Sequence, residues 1–258
     1  MDIDHMDYDG KPVEWANQNP WMPMLASRIL FVGPSGSGKT NIEMNMIQKG
    51  WMEFDRLCVY TKSAQQKMYT KLADMIERVN KKARVTVPFM MESTIDNLVA
   101  PEDLDPKQRT IIVVDDFLAD KGIRGNSVED LFFRIRHFNG SIHLLGQSFF
   151  TIPKPLRTNC SHYLLFNGAC QGTRDIHQMA QAIAGDITFE DFNEIYQNAT
   201  AQKHGFLYVD KQTNSYRLKY RQGFDGLLSD KVVRRIFRLP ASTPLMDEDD
   251  IARFKASS

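Results

Sequence analysis

The sequence predicts an α/β fold with a central, mostly parallel sheet flanked by helices. Three observations predict it. Short runs rich in β-branched or aromatic residues recur at Arg28–Val32, Arg56–Thr61, Thr110–Asp115, Ser141–Gly146 and His162–Phe166, as strands buried on both faces do. Helical patterns lie between them at Asn41–Lys49, Ala64–Val79, Ser127–Phe138 and Thr173–Ala184, and strands alternating with helices favour parallel pairing. The first strand runs directly into a glycine-rich loop, "GPSGSGKT", which opens the first helix.

The elements follow in order. Residues 1–24 read as an extended arm, because Pro12, Pro20 and Pro23 punctuate it, with Trp15 and Trp21 as the side chains that pin it down. The loop Gly33, Pro34, Ser35, Gly36, Ser37, Gly38, Lys39 and Thr40 matches G-x-x-x-x-G-K-[ST] in full, in the strand–loop–helix setting that a phosphate loop requires. Its glycines let several backbone N–H groups converge on one anion, and the helix adds its positive dipole end. Lys39 is expected to reach the β- and γ-phosphates and the Thr40 hydroxyl to ligate Mg²⁺, so the chain is expected to bind a nucleoside triphosphate.

A phosphate loop needs a carboxylate for its metal. The apolar run Ile111 to Val114 ends in Asp115 and Asp116 at the C-terminal end of its strand, where ligands sit in open α/β sheets. Asp115 takes the metal-holding role, through water, and Asp116 is placed to polarise an attacking water. The strand "SIHLLG" ends in Gln147, an amide suited to touching the γ-phosphate or that water. Upstream, Arg134 and Arg136 are two residues apart and point about 200° apart on a helix, so they cannot share one role.

Beyond Asp186 the pattern changes. "TFEDFNEIYQNA" is helical with Thr188 as its cap, and "GFLYVD", "KQTN" and "SYRLKYR" form a strand–turn–strand hairpin. In "DKVVRRIFRL", Lys231, Arg234, Arg235 and Arg238 fall on one helical face above Val232, Val233, Ile236 and Phe237; a phosphate-contacting face and a solvated face both fit. The loop "ADKGIRGNS", with Lys121 and Arg124, follows the Asp115 strand and is a second place for a DNA contact. This divides the chain into an arm over 1–24, an ATPase domain over 25–222, and a basic helix with an acidic tail over 223–258.

Composition bounds the partners. The 258 residues hold 32 basic and 32 acidic side chains, so only local patches, not total charge, can attract nucleic acid. Three cysteines make no disulfide framework and suit a reducing compartment. The spacing of Cys160, His162, Cys170 and His177 matches no common zinc finger. The N-terminus has no signal-peptide pattern, and no apolar run approaches the ~20 residues of a membrane span.

"GPSGSGKT", "IIVVDDF", "RIRHFNGSIHLLGQS", "CSHYLLFNG" and "GFLYVDKQTNSYRLKYR" occur in an order that resembles the genome-packaging ATPases of poxviruses and other large DNA viruses, within the FtsK/HerA superfamily of P-loop NTPases. The resemblance spans roughly residues 20–222. It implies that the Gln147 strand lies between the phosphate-loop strand and the Asp115 strand. It also implies that Gln147 is the sensor and that Arg136 is an arginine finger supplied to a neighbouring protomer, with Arg134 in reserve. The chain departs from the superfamily at Asp116, where Glu is common; Asp is one methylene shorter and must approach the water differently.

The function implied is that of a Mg²⁺-dependent ATPase, assembled as a homo-oligomeric ring (pentamer or hexamer), that drives double-stranded DNA into a viral capsid. ATP and Mg²⁺ are its expected cofactors. Its expected partners are duplex DNA, its own copies and a capsid or portal vertex protein, in the host cytoplasm or nucleus and in the virion. Two other readings stay open: a nucleotide or small-molecule kinase, and an ATP-gated assembly switch that does not translocate DNA.

Overall fold

The computed structural model describes residues 19–23, 26–83, 87–117 and 127–256. The described strands are β1 (Arg28–Val32), β2 (Arg56–Thr61), β3 (Phe89–Glu92), β4 (Thr110–Asp115), β5 (Gly140–Gly146), β6 (His162–Phe166), β7 (Phe206–Asp210), β8 (Tyr220–Gln222) and β9 (Gly226–Leu227). They form one sheet in the order β3-β2-β4-β5-β1-β6-β7-β8-β9. From β3 to β6 every pairing is parallel. From β6 onward the pairings are antiparallel.

Each inner strand is buried along nearly its whole length, and its side chains divide by alternation between two cores. Leu30, Val32, Ile112, Val114, Ile142 and Leu144 face one core. Ile29, Phe31, Ile111, Val113, Leu145 and Leu164 face the other. This two-sided burial explains why the strands read as continuous apolar runs. Taking a Leu or Phe of this kind out of water contributes about 1.5–3 kcal/mol. The first core is covered by α3 (Ser127–Arg134), α5 (Gly172–Ile183) and α6 (Phe189–Ala199), the second by α1 (Lys39–Gln48) and α2 (Lys67–Ala83).

The five predicted strands stand where the sequence puts them, β5 beginning one residue earlier at Gly140. The edge strand β3 escapes sequence reading because it is only four residues long, follows Pro88 and is half-buried throughout. Thr188 caps α6 as expected, accepting a hydrogen bond from the Asp191 backbone N–H at 3.2 Å.

Three expectations are corrected. The helix over Ser127–Phe138 ends at Arg134 and tightens into a 3-10 turn, Ile135–Phe138, closed by Asn139 at φ 52°, because the chain must enter β5 at the next residue. The second strand of the hairpin is short. Its first half is a helical turn, α7 (Tyr216–Lys219), and β8 starts at Tyr220. Buried Asp250 of α9 (Glu248–Ala256) accepts from Ser215 Oγ at 2.6 Å and Thr213 Oγ1 at 3.0 Å, and this contact over a long sequence separation holds the turn.

The third correction is the basic helix. α8 spans only Asp230–Ile236, so Arg238 lies beyond it, at φ 54°, and leaves the predicted face. Arg234 donates to the carbonyls of Pro240 (2.6 Å) and Thr243 (3.0 Å), and Arg235 pairs with Glu194 of α6 at 2.9 Å. Two of the four basic side chains are thus engaged within the chain, while Lys231 is exposed. Trp21 packs edge-on against Phe254 of α9, with ring centroids 4.6 Å apart, and its carbonyl accepts from buried Arg221 at 3.1 Å. Trp15 and the loop with Lys121 and Arg124 lie outside the described residues.

The four Cys and His residues considered for zinc are engaged separately. Cys160 donates to the Leu156 carbonyl, Cys170 to Met179 Sδ, His162 lies 3.3 Å from Asp210, and the His177 ring packs on Phe189. Among the described residues no helix is long and apolar enough to cross a membrane.

Candidate nucleotide site

The loop Gly33–Gly38 leaves the C-terminal end of β1 and turns into α1, which begins at Lys39. Two glycines are needed by position. At Gly33 a Cβ would stand 2.7 Å from the Phe166 Cβ, so the chain passes too close to β6 for a side chain. Gly38 caps the helix at φ 106°, a conformation that L side chains rarely adopt. The Gly33 N–H donates to the Gly146 carbonyl at 3.1 Å, tying the loop to the end of β5 one residue before Gln147.

Lys39 is buried and folds back on its own loop, donating to the carbonyls of Gly33 (2.6 Å) and Pro34 (3.1 Å). Burial lowers its pKa, and the charges of Asp115 and Asp116 oppose that. Thr40 Oγ1 lies 3.3 Å from Asp115 Oδ2. That same carboxylate oxygen accepts from the Tyr69 hydroxyl at 2.5 Å. Tyr69 stands at the start of α2, and its phenol pKa is raised by burial and by Asp115, so it remains a neutral donor. Asp116 follows at φ 62°, and Gln147 Nε2 donates to its Oδ1 at 3.3 Å.

Lys39, Thr40, Asp115, Asp116, Gln147 and His204 line one cavity of about 370 Å³, with Ser35, Gly36 and Gly38 of the loop. The residues fit a nucleoside triphosphate with a divalent ion. Ser37 Oγ is buried without a partner, the lysine amine has only loop carbonyls to bond, and the Thr40–Asp115 set is all oxygen, as a hard cation prefers.

Arg136 is not part of this cavity. It sits in the 3-10 turn before β5, at the N-terminal edge of the sheet, whereas the phosphate loop is at the C-terminal edge. Seven residues of β5 separate the edges, about 20 Å at ~3.3 Å per residue. Arg134 is held by Glu102 (2.5 Å) and Asp130 (3.0 Å), while Arg136 is exposed.

Sequence reasoning missed three parts of the site. Tyr69 reads as one apolar position of an amphipathic helix, and only the pairing of β2 with β4 sets α2 over Asp115. His204 lies between α6 and β7 and reaches the loop only because β7 pairs with β6. Fully buried Glu43 on α1 and His143 on β5 meet at 2.8 Å, a second tie between the phosphate-loop helix and the Gln147 strand. Their separation of 100 residues leaves no local signal.

Asp115 carries a cost in the ligand-free protein. Burial, and then the neighbouring Asp116 charge, push its pKa from 3.8 up to about 6 against the opposing Tyr69, Lys39 and Thr40 contacts. A raised carboxyl pKa means that charging the group costs native stability, so stability falls as pH rises from about 4 through about 6. Two pKa units correspond to about 3 kcal/mol above that window. Asp115→Asn keeps the size and the bonds to Tyr69 and Thr40. It is expected to raise the melting temperature of the nucleotide-free protein at pH 7.5 by several degrees, at roughly 2–4 °C per kcal/mol. Thermal melts at pH 7.5 and pH 4 check this; the gain should vanish at the lower pH.

A family profile described as "Poxvirus A32 protein" matches residues 23–213. No curated protein matches the chain. Among solved structures, the genome packaging NTPase B204 from Sulfolobus turreted icosahedral virus 2, in complex with AMP, is similar with a TM-score of 0.50 and 13% identity, over 79% of this chain and 98% of that one. VirB4 of Thermoanaerobacter pseudethanolicus is similar with a TM-score of 0.50 and 13% identity, over 75% of this chain and 90% of that one. At such identity the likeness speaks for the fold, in which β5 lies between β1 and β4 as the motif resemblance implies. With a phosphate loop, a carboxylate pair and a Gln-bearing strand in that order, and a profile match over most of its length, the chain belongs to the poxvirus A32 protein family, with a fold like that of B204 and VirB4.

Proposed function

We propose that this protein is a Mg²⁺-dependent ATPase that works as a homo-oligomeric ring, a pentamer or hexamer, to drive double-stranded DNA into a viral capsid. The observation that carries the reading is the contact between Gln147 and Asp116 across neighbouring strands, at the mouth of the phosphate-loop cavity. Hydrolysis needs a carboxylate to orient water and a group that responds to the γ-phosphate, and here the two are hydrogen-bonded to each other. The packaging role is supported by family membership and by the name of the similar B204 NTPase.

In this reading Lys39 gives up the Gly33 and Pro34 carbonyls and puts its charge on the β- and γ-phosphates. The loop over residues 33–40 wraps the phosphates, and its backbone N–H groups from Ser35 onward hold the phosphate oxygens, since Pro34 has none and that of Gly33 is bonded to Gly146. Bound Mg²⁺ would neutralise charge developing between the β- and γ-phosphates, with Thr40 and Asp115 holding it. Asp116 orients the attacking water, and Gln147, tethered to it, senses whether a γ-phosphate is present. Arg136 serves a neighbouring protomer. A capsid or portal vertex protein is the docking partner, and the site of action is the host cytoplasm or nucleus and the virion.

The test is the Mg²⁺-ATPase rate with and without long duplex DNA. Stimulation by long duplex is expected. Stimulation by a small nucleotide instead would make the protein a kinase, and stimulation by neither would make it an ATP-gated assembly switch.

A further inference from the structure

His204 has no role in the hydrolysis apparatus, yet it touches the phosphate loop. Its Nδ1 lies 3.1 Å from the Ser37 carbonyl oxygen. A carbonyl only accepts, so Nδ1 carries the proton and donates. In a neutral imidazole the other nitrogen, Nε2, is then left as an acceptor. The ring packs over Gly38, where a Cβ would meet it at 3.3–3.5 Å, and it lines the same cavity as Lys39 and Thr40.

Its backbone is held at φ 65°. For a residue other than glycine that conformation is uncommon, and it persists where the surroundings enforce it. A glycine does stand in this loop, but at position 205, where a Cβ would meet the Ala199 carbonyl at 2.5 Å. The left-handed position itself carries the imidazole.

Topology says which end of a nucleotide His204 faces. Asp115, Asp116 and Gln147 end β4 and β5, on one side of β1. β7 starts beside the end of β6, Phe206 opposite Phe166, so the turn holding His204 rises at the same sheet edge on the other side of β1. The carboxylates and the amide mark the γ-phosphate end. A nucleoside extending from the loop away from that end would lie toward His204.

We propose that His204 is a nucleotide-binding residue whose Nε2 accepts a hydrogen bond from a ribose hydroxyl, fixing the sugar beside the phosphate loop. This rests on the reading that the cavity takes a nucleoside triphosphate. An acceptor suits a hydroxyl or an amine and not a phosphate oxygen, and because His204 lies directly against the loop at Ser37 and Gly38, the sugar next to the phosphates is the part within reach rather than the base beyond it.

The experiment is a calorimetric binding cycle on the full chain with ATP, 2′,3′-dideoxy-ATP and inorganic tripolyphosphate. His204→Ala should weaken ATP roughly two- to tenfold, the range for one net hydrogen bond. It should leave tripolyphosphate unchanged and bind ATP and dideoxy-ATP equally, whereas the wild type should prefer ATP. His204→Gly should give the same result without backbone strain, which separates the lost contact from a misfolded turn. His204→Asn, which tolerates positive φ and keeps an acceptor, should recover part of the preference.

Unchanged ATP affinity in both truncated variants would overturn the proposal. An equal loss for ATP and tripolyphosphate would also overturn it, and would assign His204 to shaping the loop. If the wild type binds neither ATP nor tripolyphosphate, both the proposal and the nucleotide reading fall, an outcome distinct from a defect confined to the His204 variants.

Discussion

A Lys39→Ala protein is expected to fold and to hydrolyse no ATP. Lys39 is the positive charge at the centre of the loop, buried and within hydrogen-bond reach of two loop carbonyls. Burial pulls its pKa down, but Asp115 and Asp116 lie close enough to favour the charged form, which phosphate binding requires. Truncation removes that charge and leaves the Gly33 and Pro34 carbonyls without this donor, at a cost of about 1–3 kcal/mol if water does not replace it. The loop keeps its tie to β5 through the Gly33 N–H, and the two sheet cores are untouched. A thermal melt close to wild type with ATPase at background is the expected pair of results. Substantial turnover in a folded Lys39→Ala protein would sink the phosphate-loop assignment.

Arg136→Ala is expected to bind ATP and assemble normally while losing ~10³–10⁵ in hydrolysis rate, the range for an arginine finger. The side chain is exposed at the sheet edge opposite its own loop, so it cannot cross the sheet to its own nucleotide. A second copy can bring one edge to the other. Arg134, by contrast, is engaged by Glu102 and Asp130 of its own chain. Mixing Arg136→Ala with Lys39→Ala subunits should restore partial activity, because some interfaces pair an intact loop with an intact finger. No recovery in verified mixed rings would reject the trans role. Recovery with Arg134→Ala but not with Arg136→Ala would move the finger by two residues.

What the sequence by itself determined is whatever depends on neighbours along the chain. "GPSGSGKT" after "RILFV" specifies a strand, an anion-cradling loop and a helix within a few residues, and the structure has all three. Ile111 to Val114 ahead of Asp115 and Asp116 specify a buried strand with carboxylates at its mouth, because two-sided burial writes an apolar run and the run gives way to acids where the strand reaches the cavity. Thr188 announces its helix because capping is a bond over three residues.

What only the tertiary structure decided depends on which strand lies beside which. The insertion of β5 between β1 and β4 brings Gln147 to Asp116. The pairing of β2 with β4 brings Tyr69 onto Asp115, and that of β7 with β6 brings His204 onto Ser37. The four basic residues of 231–238 looked like one face from spacing alone, until partners on α6 and in the following loop claimed two of them and the helix ended before Arg238. Helical periodicity counts residues along one segment, whereas an ion pair or a strand pairing is chosen among all segments at once. That choice is made by burying apolar faces and satisfying buried polar groups across the whole sheet, so no short stretch of the chain records it.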